Sequence, residues 1–194
     1  RTQEIDCLGH HFHRDRYAKE TDHTQAFRWE DYSHYRYVFG ASACAALYRR
    51  AMLEDIAVGN EYFDEDFTAY WDDVDLDWRA QLMGWKCLYA PDAVGYHVRG
   101  GSGLQKKPGI AAYHLANRFL LVVKNDQFRN LLEDAAPFIL RSIVDLRLQV
   151  NSSPVAVALA LRIFLRNLPR ALIKRRLIQR RRRVSFSYIR SLIR

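Results

Sequence analysis

The side chains best suited to chemistry in this chain are the carboxylates within residues 63–85, FDEDFTAYWDDVDLDWRAQLMGW. Asp72 and Asp73 begin a helical pattern that runs to about Met83, and Gly84 follows where a left-handed residue commonly ends a helix. The first turn of such a helix would direct its carboxylates outward, as an enzyme presents a fixed base. The alternative is that these acids only cap the helix.

The predicted helix is apolar on two sides. Two stripes lie roughly opposite each other, one formed by Trp71, Val74, Trp78 and Leu82 and the other by Leu76, Ala80 and Met83. A helix with this pattern is enclosed within a domain. Its first turn is therefore expected at the edge of a hydrophobic core.

Other segments are expected to surround this helix. Residues 37–48 are small and apolar, which permits close approach either to a ligand or to a packed helix, and both interpretations stay open. Residues 86–89 and 93–98 predict two short strands. Residues 99–103 are rich in glycine and predict a mobile loop, and residues 112–125 predict a further helix.

The first 36 residues are polar and predict a loop-rich entry, with a short strand near residues 5–8. His10, His11 and His13 have a spacing that can bind a metal from a strand, but no fourth ligand is evident. Solvated or acceptor-facing histidines are the favoured interpretation.

The three cysteines, Cys7, Cys44 and Cys87, are widely spaced and form no Cys-x-x-Cys motif. Cys44 and Cys87 stand in apolar runs and are expected to be buried thiols. An odd number without zinc or disulfide spacing favours a reducing, cytosolic environment.

The net charge of +8 is unevenly distributed along the 194 residues. Residues 162–194 contain 12 Lys or Arg and no acid, whereas the first 161 residues contain 18 bases and all 22 acids, a charge of −4. An acidic body is therefore followed by a strongly basic tail.

Helical patterns dominate after residue 131, over residues 131–150 and 155–183. Pro137 is expected to divide the first pattern, and Pro169 to kink or break the second. No run reaches the roughly 20 uncharged apolar residues that span a bilayer.

The second of these patterns is amphipathic. Leucines form one stripe and basic residues another, at Leu161, Leu165, Leu168 and Leu172 and at Arg162, Arg166, Arg170 and Lys174. This pattern is typical of a helix that lies in a membrane interface, with the basic residues on anionic headgroups. The alternatives are a surface helix packed on the domain and, as a different function, a nucleic-acid-binding module.

Five segments carry a family resemblance through their order and spacing: FGASACAALYRRAML (39–53), FDEDF (63–67), YWDDVDLDWR (70–79), GWKCLYAPDAVGYH (84–97) and NRFLLVVKN (117–125). Between about Asp6 and Asn125 the chain resembles the C-terminal half of the catalytic domain of family-2 glycosyltransferases, especially rhamnosyltransferase-like members. Together with the pattern of the tail, the resemblance predicts two parts: an acceptor-side half over residues 1–130 and a helical, basic, membrane-associating extension over 131–194. Nothing matches the family's nucleotide-binding half, so the chain is expected to be a fragment.

The resemblance implies the GT-A fold, which is α/β with a mixed, mainly parallel sheet. It also implies that a sugar is transferred with inversion from a nucleotide-sugar to a glycan or lipid-linked glycan. Rhamnose is the sugar expected from the family likeness. The family's Glu-Asp pair is here Asp72-Asp73, so Asp73 corresponds to the catalytic base and Asp72 to the acid before it. Asn117 and Arg118 match a recurrent pair without an assigned role.

The remaining expectations concern the donor and the location. The resemblance also implies a divalent metal, Mg or Mn, with His97 at the position of a ligand. Arg99, Lys106 and Lys107 are expected to bind the donor diphosphate, which requires positive charge. The Asp-x-Asp strings follow no apolar strand and are not expected to bind the donor metal. The expected partners are the donor, a glycan or polyprenyl-linked glycan and an anionic membrane, with no nucleic acid, at the cytoplasmic face of the plasma membrane.

Overall fold

Helices dominate this chain because apolar residues recur at helical spacing through most of it. The computed structural model describes residues 6–19, 33–98, 103 and 109–194. Within them the fold is mixed α/β and mainly helical, with two sheets of two antiparallel strands each. The α/β class is confirmed, and neither described sheet is parallel.

The strands are short. They are β1 (His11–Phe12), β2 (Ala18–Lys19), β3 (Arg36–Val38) and β4 (Cys87–Tyr89), with β1 paired to β2 and β3 to β4. The helices are α1 (Arg50–Ile56), α2 (Asp72–Leu82), α3 (Ile110–Asn125), α4 (Phe128–Glu133), α5 (Ala135–Ser152), α6 (Pro154–Arg181) and α7 (Phe186–Leu192).

The predicted elements around the acidic segment are largely confirmed. The helix at Asp72 is α2, and Gly84 beyond its end has φ +86°, as a left-handed C-terminal residue requires. The expected helix over 112–125 is α3, and the strand over 86–89 is β4. The strand expected at 93–98 is wrong, since no described strand pairs with that segment.

The tail forms the expected helices, with different boundaries. The first pattern is divided at Asp134, and Pro137 lies in the first turn of α5, where a missing N–H costs little. A break at Pro169 is wrong because α6 runs through it. Pro169 lies on the exposed side of α6, where the carbonyl left without a donor can meet water. None of the described helices is both long and apolar enough to cross a membrane.

The hydrophobic core takes residues from both sides of position 131. Phe12 is its centre, with its ring stacked on Phe39 at 4.8 Å and edge-on to Trp78 at 4.6 Å. Ile178 of α6 and Ile189 of α7 are buried in the same cluster. The final helices therefore complete the core that α2 begins.

The cysteines are free thiols. Cys44 is exposed, so its expected burial is wrong, because it lies in a short 3-10 turn at Ala43–Ala45 on the surface. Cys87 is half-buried, and burial raises the pKa of its thiol to about 12, with a smaller contribution from Asp77.

Candidate active site

The turn before α2 has an unusual backbone. Tyr70 and Trp71 are consecutive non-glycine residues with φ of +62° and +71°. Left-handed conformations cost such residues about 1–3 kcal/mol each, and they persist only where surrounding structure imposes them. Strain of this kind clusters at functional sites, and here it lies directly before Asp72 and Asp73.

Helix α3 imposes that conformation. The buried Asn117 amide donates hydrogen bonds to the carbonyls of Ala69 at 2.8 Å and Tyr70 at 3.2 Å. The indole N–H of Trp71 donates to the His114 carbonyl at 2.9 Å. Asn117, whose role the sequence left open, therefore holds the turn that positions the helix start.

Asp73 projects from the first turn of α2 and keeps about 20% of its side chain exposed. Its carboxylate accepts hydrogen bonds from the backbone N–H of Val74 at 2.8 Å and of Ala43 at 3.2 Å. The 37–48 segment thus approaches α2 closely at Gly40 and Ala43, as one of the two interpretations predicts, and its contact with a ligand stays a prediction. Asp73 combines fixed orientation with access from solvent, as a general base requires.

A buried histidine lies between Asp73 and a second acid one turn along α2. His10 is 2% exposed, its Nδ1 is 2.7 Å from Asp77 Oδ2, and its Nε2 is 3.7 Å from Asp73 Oδ2. Asp73 and Asp77 are four residues apart and share a helix face. One imidazole therefore contacts both carboxylates. Of the two states expected for the histidines, the solvated one is wrong for His10, and the acceptor-facing one stays a prediction.

The carboxyl of Asp77 is fully enclosed. Burial raises its pKa to about 6, against the lowering effect of the hydrogen bond and charge of His10. Gly40 provides the space, because a Cβ at that position would lie 1.8 Å from Asp77 Oδ2. The Gly40 carbonyl also accepts a hydrogen bond from the His10 backbone N–H at 2.7 Å.

The two acids at the helix start differ in environment. The pKa of Asp72 is raised, first by burial and then by the neighbouring charge of Asp73. Asp73 instead accepts the two backbone hydrogen bonds described above. The two adjacent acids therefore lie in different surroundings.

The nearby acids are bound in buried ion pairs. Asp75 contacts Arg79 at 2.9 Å and Lys124 at 2.6 Å, and all three are buried. Burial alone would raise the pKa of Asp64, but Lys124 and Lys174 lower it to about 2. These acids of the Asp-x-Asp strings thus bind basic residues of α2, α3 and α6.

The donor-side candidates are only partly described. His97 is exposed, and its Nδ1 lies 2.7 Å from Asp6 Oδ2. Within residues 6–19, 33–98, 103 and 109–194, no three His, Cys, Asp or Glu side chains group as a metal site would require. Arg99, Lys106 and Lys107 lie outside the described residues.

The four basic residues proposed for membrane contact fall into two pairs. Arg162 and Arg166 are exposed and form no ion pair within the described part of the chain. Arg170 binds Asp66 at 2.5 Å, and Lys174 binds acids of the 61–66 segment at 2.6–3.2 Å. The second pair therefore attaches α6 to the domain.

The contact of His10 with Asp77 and the space that Gly40 leaves for that carboxyl were not expected. The separation of Asp77 from Asp73 by four residues signals a shared face, but no local pattern indicates that a residue 67 positions away completes the group. Such a pairing depends on the tertiary fold.

Comparisons of the chain with protein-family models, with curated proteins and with solved structures found no match. The function is therefore inferred from the geometry around Asp73, together with the resemblance in the sequence segments.

Proposed function

We propose that this chain is the acceptor-side half of a family-2 glycosyltransferase of the GT-A fold. It would take a sugar, rhamnose by family likeness, from a nucleotide-sugar and attach it to a glycan or polyprenyl-linked glycan with inversion. The observation that carries the proposal is the partly exposed Asp73 carboxylate on a helix start held by a strained turn. Such rigidity suits a base that must meet one hydroxyl.

In the proposed reaction, Asp73 accepts the proton of the acceptor hydroxyl while that oxygen attacks the anomeric carbon. The bond between this carbon and the diphosphate oxygen breaks on the opposite face, and the nucleoside diphosphate leaves with the electron pair. Asp73 lies in the first turn of α2. Two backbone N–H donors keep its carboxylate oriented.

The leaving diphosphate requires positive charge. We assign this role to Arg99, Lys106 and Lys107, and we propose His97 as a ligand for Mg or Mn. His97 and Asp6 supply one imidazole and one carboxylate, which are suitable donors but do not form a complete set. When bound, the metal would neutralise charge on the diphosphate.

We place the protein at the cytoplasmic face of the plasma membrane as a peripheral protein, where a lipid-linked acceptor is presented. Exposed Arg162 and Arg166 and exposed Leu161 and Leu165 support this location. Arg170 and Lys174 contribute indirectly, because their ion pairs fix the position of α6.

The decisive experiment replaces the proposed base within a polypeptide that includes the donor-binding half. Asp73→Asn preserves side-chain shape and one acceptor oxygen for the helix, so donor binding should be unchanged. Transfer should fall by about 10²–10⁴, the usual effect of losing a general base. Asp72→Asn is the matched control and should reduce transfer less. Near-normal turnover by Asp73→Asn would refute the assignment, and a larger effect of Asp72→Asn would reverse the two roles.

The second candidate is a non-catalytic module that binds a polyanionic surface, either membrane or nucleic acid, through the basic tail. It is favoured by Arg162 and Arg166, which are exposed and form no ion pair with the described residues. Binding to oligonucleotides that weakens steeply with salt, together with no sugar transfer by the unmodified polypeptide that includes the donor-binding half, would favour this candidate.

A further inference from the structure

Most of the large apolar side chains of helix α5 are exposed. None of its residues is buried. Its exposed apolar side chains, here called the apolar face of α5, are Ile139, Leu140, Ile143, Val144, Leu146, Leu148 and Val150. Leu140 and Leu148 are each more than 60% exposed. Exposed apolar patches of this kind mark interaction sites on soluble domains.

The apolar face is wide because its members occupy two neighbouring rows of one helix, with Arg147 between the rows. Positions 139, 143, 146 and 150 form one row and positions 140, 144 and 148 the next, together covering about half of the circumference. Residues between these rows and the domain make the internal contacts: Ser142 accepts a hydrogen bond from Arg118 at 3.2 Å, and Asp145 lies 3.6 Å from Arg118. The apolar face is therefore turned away from the domain.

The charges carried by α5 and α6 are mainly positive. Asp145 is the one acid in α5 and α6 together, and it is already bound by Arg118 and by Arg141 at 2.9 Å. Arg147 lies within the exposed arc and, like Arg162 and Arg166 on α6, makes no ion pair within the described residues. The hairpin of α5 and α6 thus combines an apolar face with uncompensated arginines.

We propose that the apolar face of α5 enters the acyl boundary of an anionic bilayer, with Arg147, Arg162 and Arg166 at headgroup level. The inference rests on the proposed peripheral location and identifies α5, rather than the α6 leucine stripe, as the main inserted element. A helix with a wide apolar face and flanking basic residues lies in the plane of a membrane interface. Each basic residue near the surface strengthens binding about fivefold.

A second copy of the chain fits this face less well. Packing two apolar faces together would bury Arg147, and the hairpin has no free carboxylate to pair with it. Burying an unpaired charge is strongly unfavourable. At a bilayer, the long side chain of Arg147 can extend to the headgroups while its neighbours remain in the apolar layer.

The test measures sedimentation of the 194-residue chain with vesicles of neutral phosphatidylcholine, with and without anionic phosphatidylglycerol. The variant Leu140→Gln/Val144→Gln/Leu148→Gln removes one row of the apolar face. A matched control, Leu88→Gln/Val94→Gln/Tyr96→Gln, removes three exposed apolar side chains from another surface. Circular dichroism and size-exclusion chromatography with light scattering monitor folding and oligomeric state, so the result is independent of sugar transfer.

We expect the α5 variant to lose at least tenfold in binding to anionic vesicles while remaining folded, and the control to bind as the unmodified chain does. Arg147→Gln should weaken binding about fivefold at low salt and less at high salt. Unchanged binding by the folded α5 variant would overturn the proposal. So would a dimer of the unmodified chain that the α5 variant dissociates, or equal losses in the variant and the control.

Discussion

Burial of the Asp77 carboxyl should make the free energy of unfolding depend on pH. One substitution at this position should remove that dependence. The pKa of this carboxyl is raised to about 6 from an ordinary 3.8, chiefly by burial. A carboxyl with a raised pKa holds its proton more tightly in the folded protein than in the unfolded chain. Its stabilising contribution is therefore complete below pH 3.8 and is lost as pH rises through about 6.

The size of the effect follows from that interval. At about 1.4 kcal/mol per pH unit, a rise of about two units corresponds to about 3 kcal/mol of folding free energy. Asp77→Asn resembles the protonated acid, fits the space left by Gly40 and can still accept a hydrogen bond from His10. The charged groups that face this carboxyl are His10 and Asp73, with the Tyr48 hydroxyl and Cys87 thiol nearby.

Urea unfolding, followed by tryptophan fluorescence at several pH values from about 4 to about 7, measures the effect. The free energy of unfolding of the unmodified chain, relative to that of Asp77→Asn, should fall by about 3 kcal/mol across this range. Glu65→Gln removes an exposed acid and serves as the control, with a curve parallel to the unmodified chain. Parallel curves for the unmodified chain and Asp77→Asn would refute the reasoning.

Three further predictions address the packing of the site. Asn117→Ala should lower the unfolding free energy by about 2–3 kcal/mol, because two carbonyls of a strained turn lose their donor. An unchanged midpoint of urea unfolding would contradict this role of Asn117. Gly40→Ala should lower the unfolding free energy by more than about 1–3 kcal/mol, because the Cβ of the alanine would overlap Asp77. A thermal stability equal to that of the unmodified chain would contradict the close approach. Deleting residues 162–194 should abolish cooperative unfolding, because Ile178 and Ile189 complete the core, whereas a folded truncation would show an independent tail.

Local patterns were sufficient for the main helices. The α2 start at Asp72 and its glycine terminus follow from apolar spacing and from the conformational freedom of Gly84, both properties of neighbouring residues. Elements whose stability depends on a distant partner were harder to predict. Residues 93–98 have a strand-like composition, but a strand requires a neighbour to satisfy its backbone, and none of the described strands supplies one.

Apolar periodicity was enough to indicate which residues could act as a base, because it places Asp72 and Asp73 at a helix start. What surrounds them depends on contacts between distant parts of the chain. His10 contacts Asp77 across 67 positions, and Asn117 holds the turn before α2 from 47 positions away. Likewise, the charge pattern alone could not show that Arg162 and Arg166 have a different role from Arg170 and Lys174. Their roles differ because the acids of the 61–66 segment are folded against only one part of α6.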